Sequence, residues 1–195
     1  GTFLLWFGWF GFNGFSQLAM GTFDDVNAIS KIAVNTHLAG AAGTVTGAAL
    51  TRLLGGKTDI VMMLNGALAG LVAITAEPLT PGPITAMIIG SIGAVIMYFG
   101  TKMLEGFGID DVVGAIPVHM FAGIFGTLVV PFTNADTSLG TQFVGTLSVV
   151  LFSFVLSYLV FMAMKVTIGL RISKAAEKLG TDKAEVGVIA YSIRD

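Results

Sequence analysis

The sequence predicts an all-α protein whose helices cross a membrane. Hydrophobic residues make up 54% of the chain and charged residues only 11%, whereas soluble domains carry about 25% charged residues. Apolar runs of about 15–25 residues recur from one end to the other, as in helical proteins that cross the membrane several times. Turn-forming residues separate these runs, so each run predicts one membrane helix.

Six apolar segments follow from this division of the chain. The third is short and contains Asn65, whereas the last is longer than a bilayer needs, so it should tilt or extend beyond the membrane. The chain therefore divides into a transmembrane region, 1–169, and a polar tail, 170–195, which we predict to be a regulatory or docking segment. The segments are 2–20, 27–53, 60–76, 83–104, 112–132 and 140–169.

Basic residues predict the orientation in the membrane. If the segments alternate in direction, seven lysines and arginines fall on one side of the membrane. The charged residues of the opposite loops are all acidic. The positive-inside rule then directs the first segment outward and leaves the C-terminus in the cytoplasm, in an inner or plasma membrane. The seven residues are Arg52, Lys57, Lys102, Lys165, Arg171, Lys174 and Lys178.

The sequence gives little support for an enzyme. It contains no cysteine, which excludes disulfide and thiol chemistry. It also shows no glycine-rich nucleotide loop, no metal-ligand cluster and no nucleophile–base pair, so we expect no catalytic activity, cofactor, metal or nucleic-acid partner. The chain opens inside an apolar stretch without a signal peptide, so we expect it to be cut from the middle of a longer protein; a natural half-protein that pairs with another chain is the alternative.

The stretch Ile109 to Leu128 is the most informative part of the chain. We predict a membrane helix that begins at Asp110 and Asp111, where carboxylates would cap free N–H groups, or alternatively provide a proton exit. His119 lies near the middle of this helix. A histidine inside a membrane requires a polar partner or a water-filled cavity. His119 is therefore a candidate for a pore or proton-relay residue, and a structural histidine bonded to a helix carbonyl is the alternative.

Other polar and aromatic residues have less specific interpretations. His37, two to three turns into the second segment, is predicted to be structural or interfacial. The first segment carries a dense aromatic cluster, in which one or two rings could gate a narrow pore; Ser16, one turn beyond Phe12, could offer an oxygen to a cation. The cluster comprises Phe3, Trp6, Phe7, Trp9, Phe10, Phe12 and Phe15.

Small residues recur at the spacing that lets helices approach closely. We predict tight helix packing at each of these positions. They are Gly8, Gly11 and Gly14, Gly43 and Gly47, Gly66 and Gly70, and Ala86 and Gly90.

Five blocks of sequence resemble the ammonium transporter (Amt/Mep/Rh) superfamily, and the bacterial Amt proteins in particular. They occur in the family's order across almost the whole chain. The resemblance implies a fold of eleven membrane helices, arranged as two inverted five-helix repeats plus a final helix, in a trimer. This chain would hold the sixth to eleventh helices, which form the second inverted repeat and the final helix. The blocks are LLWFGWFGFNGFS (4–16), VNTHLAGAAG (34–43), NGALAGLVAIT (65–75), DDVVGAIPVHMFAGIFGTL (110–128) and GLR (169–171).

The resemblance also implies roles for individual residues. Phe12 matches a phenylalanine of the outer gate, Ser16 a serine that helps to bind ammonium, and His119 the second of two pore histidines. Trp9 would lie near the conduction path. The implied mechanism recruits ammonium at a vestibule, deprotonates it at the phenylalanine gate and passes ammonia along a hydrophobic pore lined by histidine, with methylammonium as an analogue.

The tail and two single positions add to this resemblance. The tail keeps the family's regulatory spacing through Arg171, Gly180, Asp182, Gly187 and Tyr191, which implies a PII-type signal protein as a candidate partner. Met120 and Glu77 depart from residues common in the family. An ammonium sensor that signals through its tail is the alternative function, and the GLR and IPVH blocks disfavour a gas channel of the Rh type.

Overall fold

The computed structural model describes residues 1–190, which form helices joined by turns, with no strand among them. They divide into two compact units, Gly1–Leu147 and a second that begins at Ser148. A helix lies over each of the six predicted segments. These helices are α1 (Thr2–Phe15), α2 (Phe23–Gly55), α3 (Ile60–Thr75), α4 (Pro83–Gly106), α5 (Ile116–Phe132) and α6 (Leu139–Thr167).

The length and composition of these helices bear on the membrane prediction. By those two criteria α4 and α6 can each cross a membrane, and α3 and α5 are apolar but shorter. The all-helical fold is confirmed. That all six helices cross the membrane, and that they form an inverted repeat, remain predictions.

The first helix is shorter than predicted, because it ends at Phe15 rather than near residue 20. Gln17 donates its backbone N–H to the carbonyl of Gly14 at 3.3 Å, and Leu18 donates to Phe15 at 3.0 Å. These tight turns replace the next helical turn. Leu18 then has a φ of 60°, in the left-handed region that ends a right-handed helix.

Helix α2 begins four residues earlier than predicted because a capping box stabilises its first turn. The Thr22 hydroxyl accepts the N–H of Asp25 at 3.1 Å, and the Asp25 carboxylate accepts the N–H of Thr22 at 3.0 Å. The hydroxyl of Thr22 also donates to this carboxylate at 2.8 Å. This last hydrogen bond, with the backbone donors beside it, lowers the pKa of the Asp25 carboxyl below its ordinary value.

The core of the first unit lies where α2, α3 and α4 pack against one another. Gly43 of α2 directly faces the backbone of Gly66 in α3, and Gly90 of α4 faces the backbone of Ala39, which is fully buried. Any side chain at these glycines would meet main-chain atoms. The predicted close packing is confirmed there, whereas no neighbouring atom within 4 Å faces Gly8 among the described residues.

The second unit contains the tail, in which a short helix, α7 (Lys174–Leu179), is capped by Ser173. Arg171 pairs with Glu177 at 2.6 Å. The carboxylate of Asp182 accepts the N–H of Ala190 at 2.9 Å, and this hydrogen bond lowers the pKa of Asp182. Of the predicted regulatory positions, Tyr191 lies outside the described residues. The predicted boundary at 169/170 remains a prediction.

Candidate pore wall and its histidine

His119 lies on a π-helical turn, Ile116–Phe121, that opens α5. The two side chains that precede it in the turn, Pro117 and Val118, are almost completely buried, whereas His119 and Met120 are exposed. π-Helical turns are rare and occur frequently at functional sites. The turn therefore holds the imidazole on a firmly packed surface while leaving the ring accessible.

The start of this helix differs from the prediction. Helix α5 begins at Ile116 rather than near Ile109, because the chain first turns at Gly114, whose φ is 71°. The Asp111 carboxylate accepts the N–H groups of Ala115 at 2.8 Å and Ile116 at 2.7 Å. Capping is thus confirmed for Asp111. The described residues show no such hydrogen bond for Asp110, so the cap is a single carboxylate rather than a pair.

Asn65 of α3 holds the same turn from the opposite side. Its side-chain amide donates to the carbonyl of Val113 at 3.0 Å. A Cβ at Gly114 would lie 2.8 Å from the Asn65 amide nitrogen, so this close approach requires glycine. Sequence reasoning noted Asn65 only as a polar residue in a short apolar segment, and that polarity was the signal of its role.

Helix α1 carries the other predicted site residues. The indole N–H of Trp9 donates to the hydroxyl of Thr75 in α3 at 2.7 Å, and its ring meets the Phe12 ring edge-on at 6.0 Å between centroids. Phe12 is 61% exposed. The Ser16 hydroxyl donates to the carbonyl of Phe12 at 2.7 Å, which leaves its oxygen free to accept a hydrogen bond.

The structure places these residues on two helices that both pack against α3. Trp9 packs against a buried cluster that contains Val118 and Ala122, which precede and follow His119 in the chain. The site residues of α1 and the turn that carries His119 are thus packed against the same buried core. No contact between His119 and Phe12, Ser16 or Trp9 is described within residues 1–190, so the structure does not join them into one compact site.

His37 has a different environment, on the regular helix α2. Its exposed ring lies 5.4 Å from the ring of Trp6 and is stacked 6.2 Å from that of Phe10, both in α1. These aromatic contacts agree with the structural interpretation of His37, which packs at the interface of two helices rather than beside His119.

Polar contacts that sequence reasoning missed organise the loop after α3. Glu77 accepts the N–H groups of Leu79 and Thr80 with one carboxylate oxygen and the Asn134 amide with the other, at 2.8 Å. Asn35, fully buried in α2, donates to the carbonyls of Pro78 and Pro81 at 2.9 Å each. Glu77 therefore ties two loops together. Its position in a turn after an apolar segment was the only sequence signal.

Comparison with known proteins places this arrangement in a family. The model of the Ammonium Transporter Family matches residues 1–191. The chain is 41% identical to "Ammonium transporter Amt2" of Archaeoglobus fulgidus, over 98% of this chain and 44% of that protein. The chain thus spans less than half the length of this relative.

Solved structures give the same result for the fold. A protein described as "Sensor Amt Protein" superposes with a TM-score of 0.85 at 33% identity, over 94% of this chain and 47% of that one. Candida albicans Mep2 superposes with a TM-score of 0.79 at 29% identity, over 95% and 45% of the two chains. From these matches and from the helices that carry the matching blocks, we conclude that this chain belongs to the ammonium transporter family.

Proposed function

We propose that this chain forms one wall of a pore that carries ammonium or ammonia across a membrane. Membership of the ammonium transporter family supports transport of this substrate class. The observation that carries the proposal is the exposed imidazole of His119, which directly follows two buried residues on a π-helical turn. An accessible ionisable side chain on a helix of this kind is expected where a polar species passes.

Ammonium would be recruited at the outer end of α1. The exposed ring of Phe12 offers an aromatic face, and a cation over such a face is attracted by the ring quadrupole. Ser16 lies one turn further and has an oxygen that can accept a hydrogen bond from the ion. Trp9, half-buried and fixed by Thr75, would hold the Phe12 ring in its edge-on orientation.

Ammonium would lose its proton at the Phe12 gate, and this proton would either stay on the outer side or be relayed along the passage. Transfer of an isolated ion into an apolar passage is far more costly than transfer of a neutral amine, so the passage favours ammonia. His119 would then hydrogen-bond to the passing molecule or relay its proton, since imidazole both donates and accepts near neutral pH.

The assembly proposed around this wall follows the family resemblance. The six helices would be the second inverted repeat and the final helix of an eleven-helix protomer, and complete protomers would form a trimer. Basic residues on one side support a cytoplasmic C-terminus in an inner or plasma membrane. The ordered turn around Asp182 supports a docking role for the tail, with a PII-type signal protein as the candidate partner.

An ammonium sensor is the second candidate function. It is favoured by the likeness to the protein described as "Sensor Amt Protein", at 33% identity. In that case the same wall would bind ammonium, and the tail would transmit the occupied state. A transporter would carry methylammonium into sealed vesicles, whereas a sensor would bind it without carrying it across.

The test is uptake of methylammonium by vesicles that contain the complete protein, with His119→Ala compared with His37→Ala. We expect the first variant to lower uptake about a hundredfold, the scale of a lost proton-transfer group, and the second to leave it nearly unchanged. Equal uptake by the wild type and His119→Ala would contradict the assigned role. Saturable binding without uptake in the wild type would favour the sensor.

A further inference from the structure

A cavity of about 310 Å³ lies at one end of the α2–α4 core. It lies within the range of roughly 300–1,000 Å³ typical of ligand pockets. Two lysines, Lys57 and Lys102, line it together with the hydroxyl-bearing side chains of Thr58 and Tyr98. Nothing in the proposed passage past His119 uses this cavity.

Lys57 and Lys102 come from different parts of the chain. Lys57 lies in the loop between α2 and α3 and is exposed, with no ion-pair partner among the described residues. Lys102 lies in the last turns of α4, where it pairs with Glu105 at 3.0 Å. Both members of that pair are more than half exposed, and such surface pairs contribute little to stability. Lys102 can therefore turn toward a more highly charged anion.

One carboxylate, that of Asp59, also lines the cavity. The Asp59 carboxylate accepts the N–H groups of Val61 at 2.8 Å and Met62 at 3.0 Å, at the first turn of α3. A carboxylate there interacts favourably with the positive end of the helix dipole. The lining thus carries two lysines against one carboxylate, so its net charge is positive and the cavity favours an anion.

The position of the cavity indicates which anions can reach it. Helix α4 has 24 residues, and at 1.5 Å per residue it is about 36 Å long, slightly more than the hydrocarbon core of a bilayer. Lys102 lies near one end of this helix and therefore near the level of the lipid headgroups. Basic pockets between membrane helices at that level bind phosphate-bearing headgroups.

We propose that Lys57 and Lys102 form a phosphate-binding site, with Thr58 and Tyr98 as hydroxyl donors, that takes the headgroup of an anionic phospholipid or a free phosphate ester. The site is separate from the proposed pore and does not depend on it. A phosphate there would bridge the α2–α3 loop and α4, and would stabilise the folded protein by its binding.

The experiment follows the unfolding temperature of the purified complete protein as lipid is added to the detergent. Phosphatidylglycerol is compared with phosphatidylcholine, and glycerol 3-phosphate serves as the soluble phosphate ester. The variants are Lys57→Gln and Lys102→Gln. Lys31→Gln is the matched control, because it removes the same charge from an exposed lysine in α2 outside the cavity.

We expect phosphatidylglycerol, but not phosphatidylcholine, to raise the unfolding temperature. Each cavity variant should raise about fivefold the lipid concentration that gives half of the full temperature shift, because that is the contribution of one lysine at an anionic surface. Lys31→Gln should leave this concentration unchanged. If glycerol 3-phosphate alone has the same lysine-dependent effect, the ligand is a free phosphate ester. A phosphatidylglycerol response that is equal in wild type and Lys57→Gln would overturn the proposal, even if Lys102→Gln failed to fold.

Discussion

Helices α2 and α5 each carry an exposed histidine, but they hold it in different ways. His37 lies in the uninterrupted α-helix α2 and contacts two aromatic rings of α1, stacked on that of Phe10 and tilted against that of Trp6. His119 lies on a π-helical turn, and the two residues before it, Pro117 and Val118, are buried while its own ring is exposed. A histidine whose ring is engaged by neighbours serves packing, whereas one whose backbone alone is fixed keeps its ring available.

The two helices also begin differently. Helix α2 starts at a reciprocal capping box between Thr22 and Asp25, formed within its own first turn. Helix α5 starts at a turn held by Asp111 from one side and by Asn65 of α3 from the other. The start of α2 is therefore a local structure, and the start of α5 depends on tertiary contacts.

Substitution of Gly126 should have the largest effect on the segment that carries His119. A Cβ at Gly126 would collide with the backbone of Ala73 in α3, whereas one at Gly123 would meet a Val72 methyl group at an ordinary 3.5 Å. We expect Gly126→Ala to lower the free energy of unfolding by about 1–3 kcal/mol, the usual cost of overpacking. Gly123→Ala, one turn away in the same helix, should be neutral or slightly stabilising.

The measurement is thermal unfolding of both variants of the complete protein in one detergent. If the two variants unfold at the same temperature, α5 is not fixed against the α3 backbone, and the contrast with α2 loses its basis. The uptake assay on the same preparations would then show whether displacement of α5 also displaces His119.

Regular patterns in the sequence predicted the parts of the fold that depend on local or repeated features. The apolar runs located all six helices. The four-residue spacing of Gly43 from Gly47, and of Gly66 from Gly70, located the close contacts between α2 and α3. The start of α5 was missed because it depends on Asn65, 48 residues from its acceptor Val113. No spacing within one segment reports such a contact.

The candidate site was predictable only in part for the same reason. The position of His119 in an apolar segment marked it as a candidate site residue. Nothing in the local sequence indicates that it lies on a π-helical turn, since Pro117 and Gly114 are also compatible with an ordinary helix start. The bond from Trp9 to Thr75 joins residues 66 positions apart. The tertiary fold therefore decides which aromatic rings are fixed and which, such as Phe12, remain exposed.

Removal of the α5 cap should have an intermediate effect. Asp111→Ala leaves the N–H groups of Ala115 and Ile116 without their acceptor, which should cost about 1 kcal/mol of stability. Asp110→Ala removes the same charge from the neighbouring position, where no described backbone hydrogen bond is lost, and should cost little. Hydrogen exchange at Ala115 and Ile116 gives a local readout, and we expect it to accelerate only in Asp111→Ala. Equal exchange in the two variants would contradict the single-carboxylate cap.

The smallest effect concerns Asp25, at the start of α2 and ahead of the predicted membrane segment 27–53. The Thr22 hydroxyl is the largest cause of the lowered pKa of the Asp25 carboxyl. A folded pKa below the unfolded value means that ionised Asp25 stabilises the fold above about pH 4. This contribution is lost as the pH falls through the lower, folded pKa.

Thr22→Val removes that hydroxyl, so the pKa of Asp25 should rise toward its ordinary value. The unfolding temperature of this variant should therefore depend less on pH, below about pH 4, than that of the wild type. Thr44→Val is the matched control, since the Thr44 hydroxyl donates to the carbonyl of Gly40 at 2.9 Å and no hydrogen bond to a carboxylate is described for it within residues 1–190. If Thr22→Val keeps the acid dependence of the wild type, the capping box does not contribute to stability, and α2 depends on tertiary packing at its start as α5 does.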